Sequence, residues 1–130
     1  MPLTYFPNGY ASAVNKVLTV AGVATFDLHA GNVQQIGPLT ANTTAAITNL
    51  ARASGTVPTG ASAASDRVTF IIVQNAAAAK TFTWPANVIG GMTISATLSS
   101  INVQTFVVSA SGLTLYACDA GITGMTGGTP

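Results

Sequence analysis

One run of the chain limits the possible folds more than any other: "DRVTFIIVQN", Asp66 to Asn75. β-Branched and aromatic residues fill it, the types that suit a pleated, half-buried surface and lose side-chain freedom in a helix. Val68, Phe70 and Ile72 share one face, and Thr69, Ile71 and Val73 share the other. Both faces are largely apolar, so this strand belongs in the middle of a sheet.

The rest of the chain reads as partners for it. "KTFTW" (Lys80 to Trp84) follows a short "AAAA" connection and is expected to be its hairpin partner. "INVQTFVVSA" alternates Ile101, Val103 and Val107 with Asn102 and Gln104, and "ASG" (Ala110 to Gly112) turns it into "LTLYACD" as a second hairpin. Upstream, "ATFDLH", "NVQQIGPLT" and "TTAAITNL" read as short strands, with "KVLTV" a weaker one. Ala and Leu would allow a helix over "TTAAITNLARA", but Thr43, Thr44, Ile47 and Thr48 favour a strand. About 7–8 short strands at intervals of roughly 8 to 14 residues predict an all-β fold, an antiparallel β-sandwich or barrel. The expected organisation is an N-terminal arm over 1–15, a single β-domain over 16–118 and a flexible C-terminal tail over 119–130. A long Ser/Gly-rich loop over 51–65 interrupts the domain.

Charge narrows the function. Charged residues make up 5% of the chain and the net charge is +1, against about 25% charged in an ordinary soluble domain. Little repulsion keeps copies apart, which favours association with other protein. Lys16, Arg52, Arg67 and Lys80 are scattered, so the basic stripe that nucleic acid requires is missing. No apolar run approaches the roughly 20 residues of a membrane span. "MPLTYFPNGY" lacks a basic segment followed by an apolar one, so no secretory signal is expected and the "NTT" sequon at Asn42 to Thr44 should stay unglycosylated. Neither nucleic acid nor membrane is an expected partner.

The means for catalysis are thin. The chain has no glutamate, one histidine and the three carboxylates Asp27, Asp66 and Asp119. Asp27 and His29 stand two apart on an expected strand and so share a face. A metal would need further ligands that the chain hardly offers. No nucleophile elbow supports a serine triad, and "GTVPTG" and "GITGMTGG" lack the lysine and helix of a phosphate loop. Cys118, in the apolar run "LTLYACDA", is expected to be buried and inert. The reading is a non-enzymatic protein with no cofactor.

"KTFTWPANVIGGM" holds the one tryptophan. Pro85 has no N–H and cannot continue a ladder, so the strand should end at Trp84. Gly90 and Gly91 then permit a sharp turn. Trp84 and Pro85, with Phe106 and Tyr116, are expected to plug the core or meet a neighbouring subunit.

An ordered set of residues carries a resemblance. Asn42, Thr43, Thr44 and Asn49 lie in one strand; Gln74, Thr81, Thr83, Trp84 and Pro85 follow in the next hairpin, and Tyr116 in the last. Over most of residues 31–118 the chain resembles a β-domain found in capsid decoration proteins and in head and tail fibres of tailed bacteriophages. It departs at the hairpin turn, "AAAA" where that family has Asp and Gly, and in a longer loop at 51–65. The resemblance implies a homotrimeric virion component, made in the host bacterial cytoplasm. The leading expectation is a capsid decoration (cement) protein on the outer surface of the phage head, bound to the major capsid protein. Tyr5, Phe6 and Tyr10 of the arm are the expected capsid anchors, since aromatic side chains dominate interface energetics. The alternative is a short tail- or head-fibre or spike protein binding a host receptor or glycan through Trp84 and Asn87. A small hydrolase is the weakest reading.

Overall fold

The computed structural model describes residues 14–50, 67–109 and 111–130. Among them the strands are β1 (Val14–Val17), β2 (Thr19–Val20), β3 (Val23–Asp27), β4 (Val33–Ile36), β5 (Thr43–Thr48) and β6 (Arg67–Val73). β7 (Phe82–Thr83), β8 (Val88–Ile89), β9 (Ile101–Val108), β10 (Leu115–Ala117) and β11 (Ile122–Met125) follow. A single 3-10 turn, Leu28–Ala30, separates β3 from β4. The loop expected over 51–65 lies outside the described residues.

These strands form two sheets. The larger runs β1-β4-β6-β9-β10-β8, with β11 also on β9; the smaller runs β2-β3-β5-β7. β6 is interior, as its two apolar faces predict, and "TTAAITNL" is a strand that stops where Asn49 takes a left-handed φ of 58°. The β9–β10 hairpin is also as expected.

The expected antiparallel order needs correction, because the pairing is mixed. β1, β4 and β6 are parallel to one another, and so are β3, β5 and β7. Val14 lies beside Val33 and Val33 beside Thr69 in one sheet. Val23 lies beside Thr44 and Thr44 beside Thr83 in the other. Parallel neighbours need a crossover rather than a tight turn. Here each crossover is a strand of the opposite sheet, so the chain winds as three coils of a short two-sided solenoid. β9, β10 and β11 then extend the large sheet in antiparallel fashion. Neither sheet closes into a barrel.

"KTFTW" is accordingly not the hairpin partner of β6. Phe82 and Thr83 cross to the small sheet and pair with Thr43 and Thr44. The cause lies in the connection, which has no glycine for a tight turn. Gln74 Oε1 accepts from the Asn75 and Lys80 amides, and Asn75 Oδ1 from the Ala77 and Ala78 amides. These bonds hold 75–80 as a wide loop.

The core lies between the sheets, around five aromatic rings. Phe70 meets Phe26, Trp84 and Phe106 edge-on or tilted at 5.2, 5.1 and 5.5 Å, and Phe82 meets Trp84 at 4.9 Å. Phe70 and Phe106 come from the large sheet, and Phe26 and Phe82 from the small one. Each edge-to-face pair stabilises by about 1 kcal/mol beyond burial.

The alternation in β9 is present with its faces exchanged. Asn102, Gln104, Phe106 and Val108 point inward, while Ile101, Val103, Thr105 and Val107 are half-buried on the outside. The amides are tolerated inside because the backbone satisfies them. Gln104 donates to the Gly90 and Asp119 carbonyls and accepts from the Met92 amide. Asn102 donates to the Ile72 carbonyl and accepts from the Ser95 and Gly124 amides. Together they anchor the irregular stretch 90–95 and the glycine-rich C-terminal segment. That segment, expected as a flexible tail, contributes β11 to the edge of β9.

Candidate interaction surface

Exchanging the faces of β9 turns an apolar row outward. Register places Ile71, Val103 and Ile122 side by side, and Ile101 beside Met125. A third row joins Val107, Tyr116 and Ile89. Ile89, Tyr116, Ile122 and Met125 are all exposed, Ile122 to 61%. Between them Thr69 and Thr105 hydrogen-bond through their hydroxyls at 2.9 Å. Among the described residues, charge enters this face at Lys16 on β1 and at Arg67, which starts β6 and lies beside Val107. This face is the candidate interaction surface, since large contiguous apolar patches are rare on isolated domains and commonly serve as contact sites.

The sequence-derived candidates separate. Tyr116 stands on this outer face, exposed, next to Ile89. Phe106 is fully buried, and Trp84 is partly buried and packed against the core, so both help hold the domain together. Trp84 Nε1 donates to the Met92 carbonyl at 2.9 Å, and its ring lies against Phe70, Phe82, Phe106 and Gly91. The strand ends one residue earlier than expected, at Thr83, and the Pro85 carbonyl accepts from Val88 N to close the turn into β8. Tyr5, Phe6 and Tyr10 lie outside the described residues.

Two further expectations change. Asp27 and His29 do not share a strand face, because β3 stops at Asp27. The Asp27 carboxylate accepts from the His29 backbone amide at 2.9 Å and from Asn49 Nδ2 at 2.6 Å, capping the 3-10 turn. Among the described residues no group of three or more His, Cys, Asp or Glu is placed to hold a metal. Cys118 is exposed rather than buried, since β10 ends at Ala117 and turns the thiol outward. There Arg67 Nη1 donates to its sulfur at 3.3 Å.

Sequence reasoning missed Ile122 and Met125, hidden in a glycine-rich stretch, and read the parity of β9 from Ile101, Val103 and Val107. Phe106 and Val108, in phase with Asn102 and Gln104, were the signal for the other parity. Comparison with protein-family models, curated proteins and solved structures finds no match to this chain.

Proposed function

We propose that this chain is a non-enzymatic structural protein of a tailed-phage virion: a capsid decoration protein that binds the outer surface of the head as a homotrimer. The observation that carries the reading is the outer face of the large sheet, apolar across Ile71, Val103, Val107, Tyr116 and Ile122, where among the described residues charge comes only from Lys16 on β1 and from Arg67 beside Val107. Such a face suits durable burial against protein, because the Ile71–Val103–Ile122 row carries no charge and only Arg67 near Val107 would have to be desolvated or left at the rim. A net charge of +1 leaves little to oppose self-association.

Within this reading the outer face joins subunits, and Tyr5, Phe6 and Tyr10 contact the major capsid protein. Burying about 1,000 Å² of apolar surface per subunit would stabilise by on the order of 25 kcal/mol gross, before ordering costs. The fibre alternative, with Trp84 and Asn87 as a sugar platform, has less support, because the indole is engaged with Phe70, Phe82 and Phe106. Incubating the purified protein with undecorated heads tests the proposal. Saturable binding accompanied by higher thermal stability of the heads is expected, and absence of binding would refute it.

A further inference from the structure

The two ends of the solenoid differ. At one end β9, β10 and β11 and the 90–95 stretch cover the last coil, with Gln104 and Asn102 tying them down. At the other end, among the described residues, β1 is the edge of the large sheet and β2 the edge of the small one. Leu18 and Val20, between and within these strands, are 80% and 71% exposed, and Val14 and Val23 are also exposed. Leu18 forms a ridge between two open grooves. One, of about 480 Å³, lies between β1 and the β2–β3 hairpin and is lined in part by Val17, Val20 and Val23. The other, of about 160 Å³, runs beneath Leu18 to Ile36 and Pro38.

Solenoid ends need a cap, because each coil buries its apolar surface only against its neighbours. A free strand edge with an apolar lip also invites uncontrolled pairing. Lys16 is the one charge on β1 and does little to protect it.

We infer that residues 1–13 of the same chain cap this open end, laying Tyr5, Phe6 and Tyr10 over Leu18, Val20 and Val23. Three observations choose this occupant. The segment enters the fold at Val14, the first residue of the uncapped edge strand, so its local concentration at the grooves far exceeds that of a free partner. Thirteen residues reach up to about 43 Å when extended, several times the length of β1, so the segment can fold back over the whole end. Its composition, with Leu3, Tyr5, Phe6 and Tyr10 and no charged side chain, matches the apolar part of the lining, Val17, Leu18, Val20 and Val23, which Lys16 and Asp27 accompany. The inference concerns the free protein and stands apart from the virion reading. If both hold, the groove keeps the arm until a head displaces it.

Chymotrypsin tests this in the full chain without heads, since it cuts after Tyr5 and Tyr10. Cleavage there should be at least about tenfold slower than in a synthetic peptide of residues 1–13, as docking shields the sites. The exposed-site double substitution Leu18→Asp with Val20→Asp should restore the peptide's rate while the circular dichroism spectrum stays unchanged. A second, independent readout is binding of that peptide to a chain lacking residues 1–13, but not to the full chain. Cleavage of the wild-type arm at the peptide's rate, or protection indifferent to both substitutions, would overturn the inference. Protection that disappears on dilution would assign the groove to a second copy and overturn it equally.

Discussion

Trp84 and Gly91 occupy adjoining space: a Cβ at position 91 would overlap the indole, while Trp84 Nε1 donates to the carbonyl of the next residue, Met92, at 2.9 Å. The glycine is there because the ring needs its surface, and the ring is there to close the cluster of Phe70, Phe82 and Phe106. "WPANVIGGM" is therefore one packing unit, in which the loop folds back to seat the tryptophan that begins it.

Gly91→Ala should destabilise the domain by about 1–3 kcal/mol, the usual cost of forcing a methyl group into filled space. Urea denaturation followed by tryptophan fluorescence measures this directly. A loss below about 0.5 kcal/mol would mean that the loop yields and that the contact is not tight.

Gln74 uses both donors and both acceptor positions of its amide: Nε2 donates to the Lys80 and Ser95 carbonyls at 3.0 Å, and Oε1 accepts from two amides. Gln74→Leu keeps the bulk but strands those partners, and should cost about 3 kcal/mol. Hydrogen exchange at the Lys80 amide should accelerate in parallel, because that amide loses its acceptor.

How far the sequence reveals this architecture depends on the kind of information each element needs. Apolar residues on both faces marked β6 as interior, and threonine with isoleucine marked β5 as a strand, because strand preference is local. Parallel pairing was hidden. Val33 finds Thr69 across a long intervening stretch, and nothing near either residue specifies that neighbour. The inward orientation of Asn102 and Gln104 was hidden for a related reason, since their partners at Gly90, Met92, Ser95, Asp119 and Gly124 are distant in sequence. Of the candidate surface, Tyr116 was legible as a bulky strand residue. Ile122 and Met125 were masked by glycines that hold a strand only because β9 supplies the ladder.

Ala21 has a φ of 51° beside Gly22 at 79°, in the two-residue turn that joins β2 to β3. Left-handed backbone is unfavourable for alanine by about 1 kcal/mol or more, while glycine accepts it freely. Ala21→Gly should therefore leave stability unchanged or raise it, by up to about 1 kcal/mol and about 4 °C in Tm. Differential scanning calorimetry gives the sign.

Ile122→Lys places a charge at the end of the Ile71–Val103–Ile122 row of the outer face, at a side chain that is 61% exposed and makes little contribution to the core. Folding stability should change by less than about 0.5 kcal/mol. Self-association, read by size-exclusion chromatography with light scattering, should weaken at least about tenfold, as expected when a charge must be buried unpaired. An unchanged oligomer would move the subunit contact to another surface.

The central proposal is that this chain decorates a phage head, and the most direct measurement is its copy number in purified virions of a candidate phage. Quantitative mass spectrometry against the major capsid protein gives that ratio. Decoration predicts close to one copy per capsid subunit, lost together with head stability when the protein is stripped. A handful of copies per particle, or none, would contradict it.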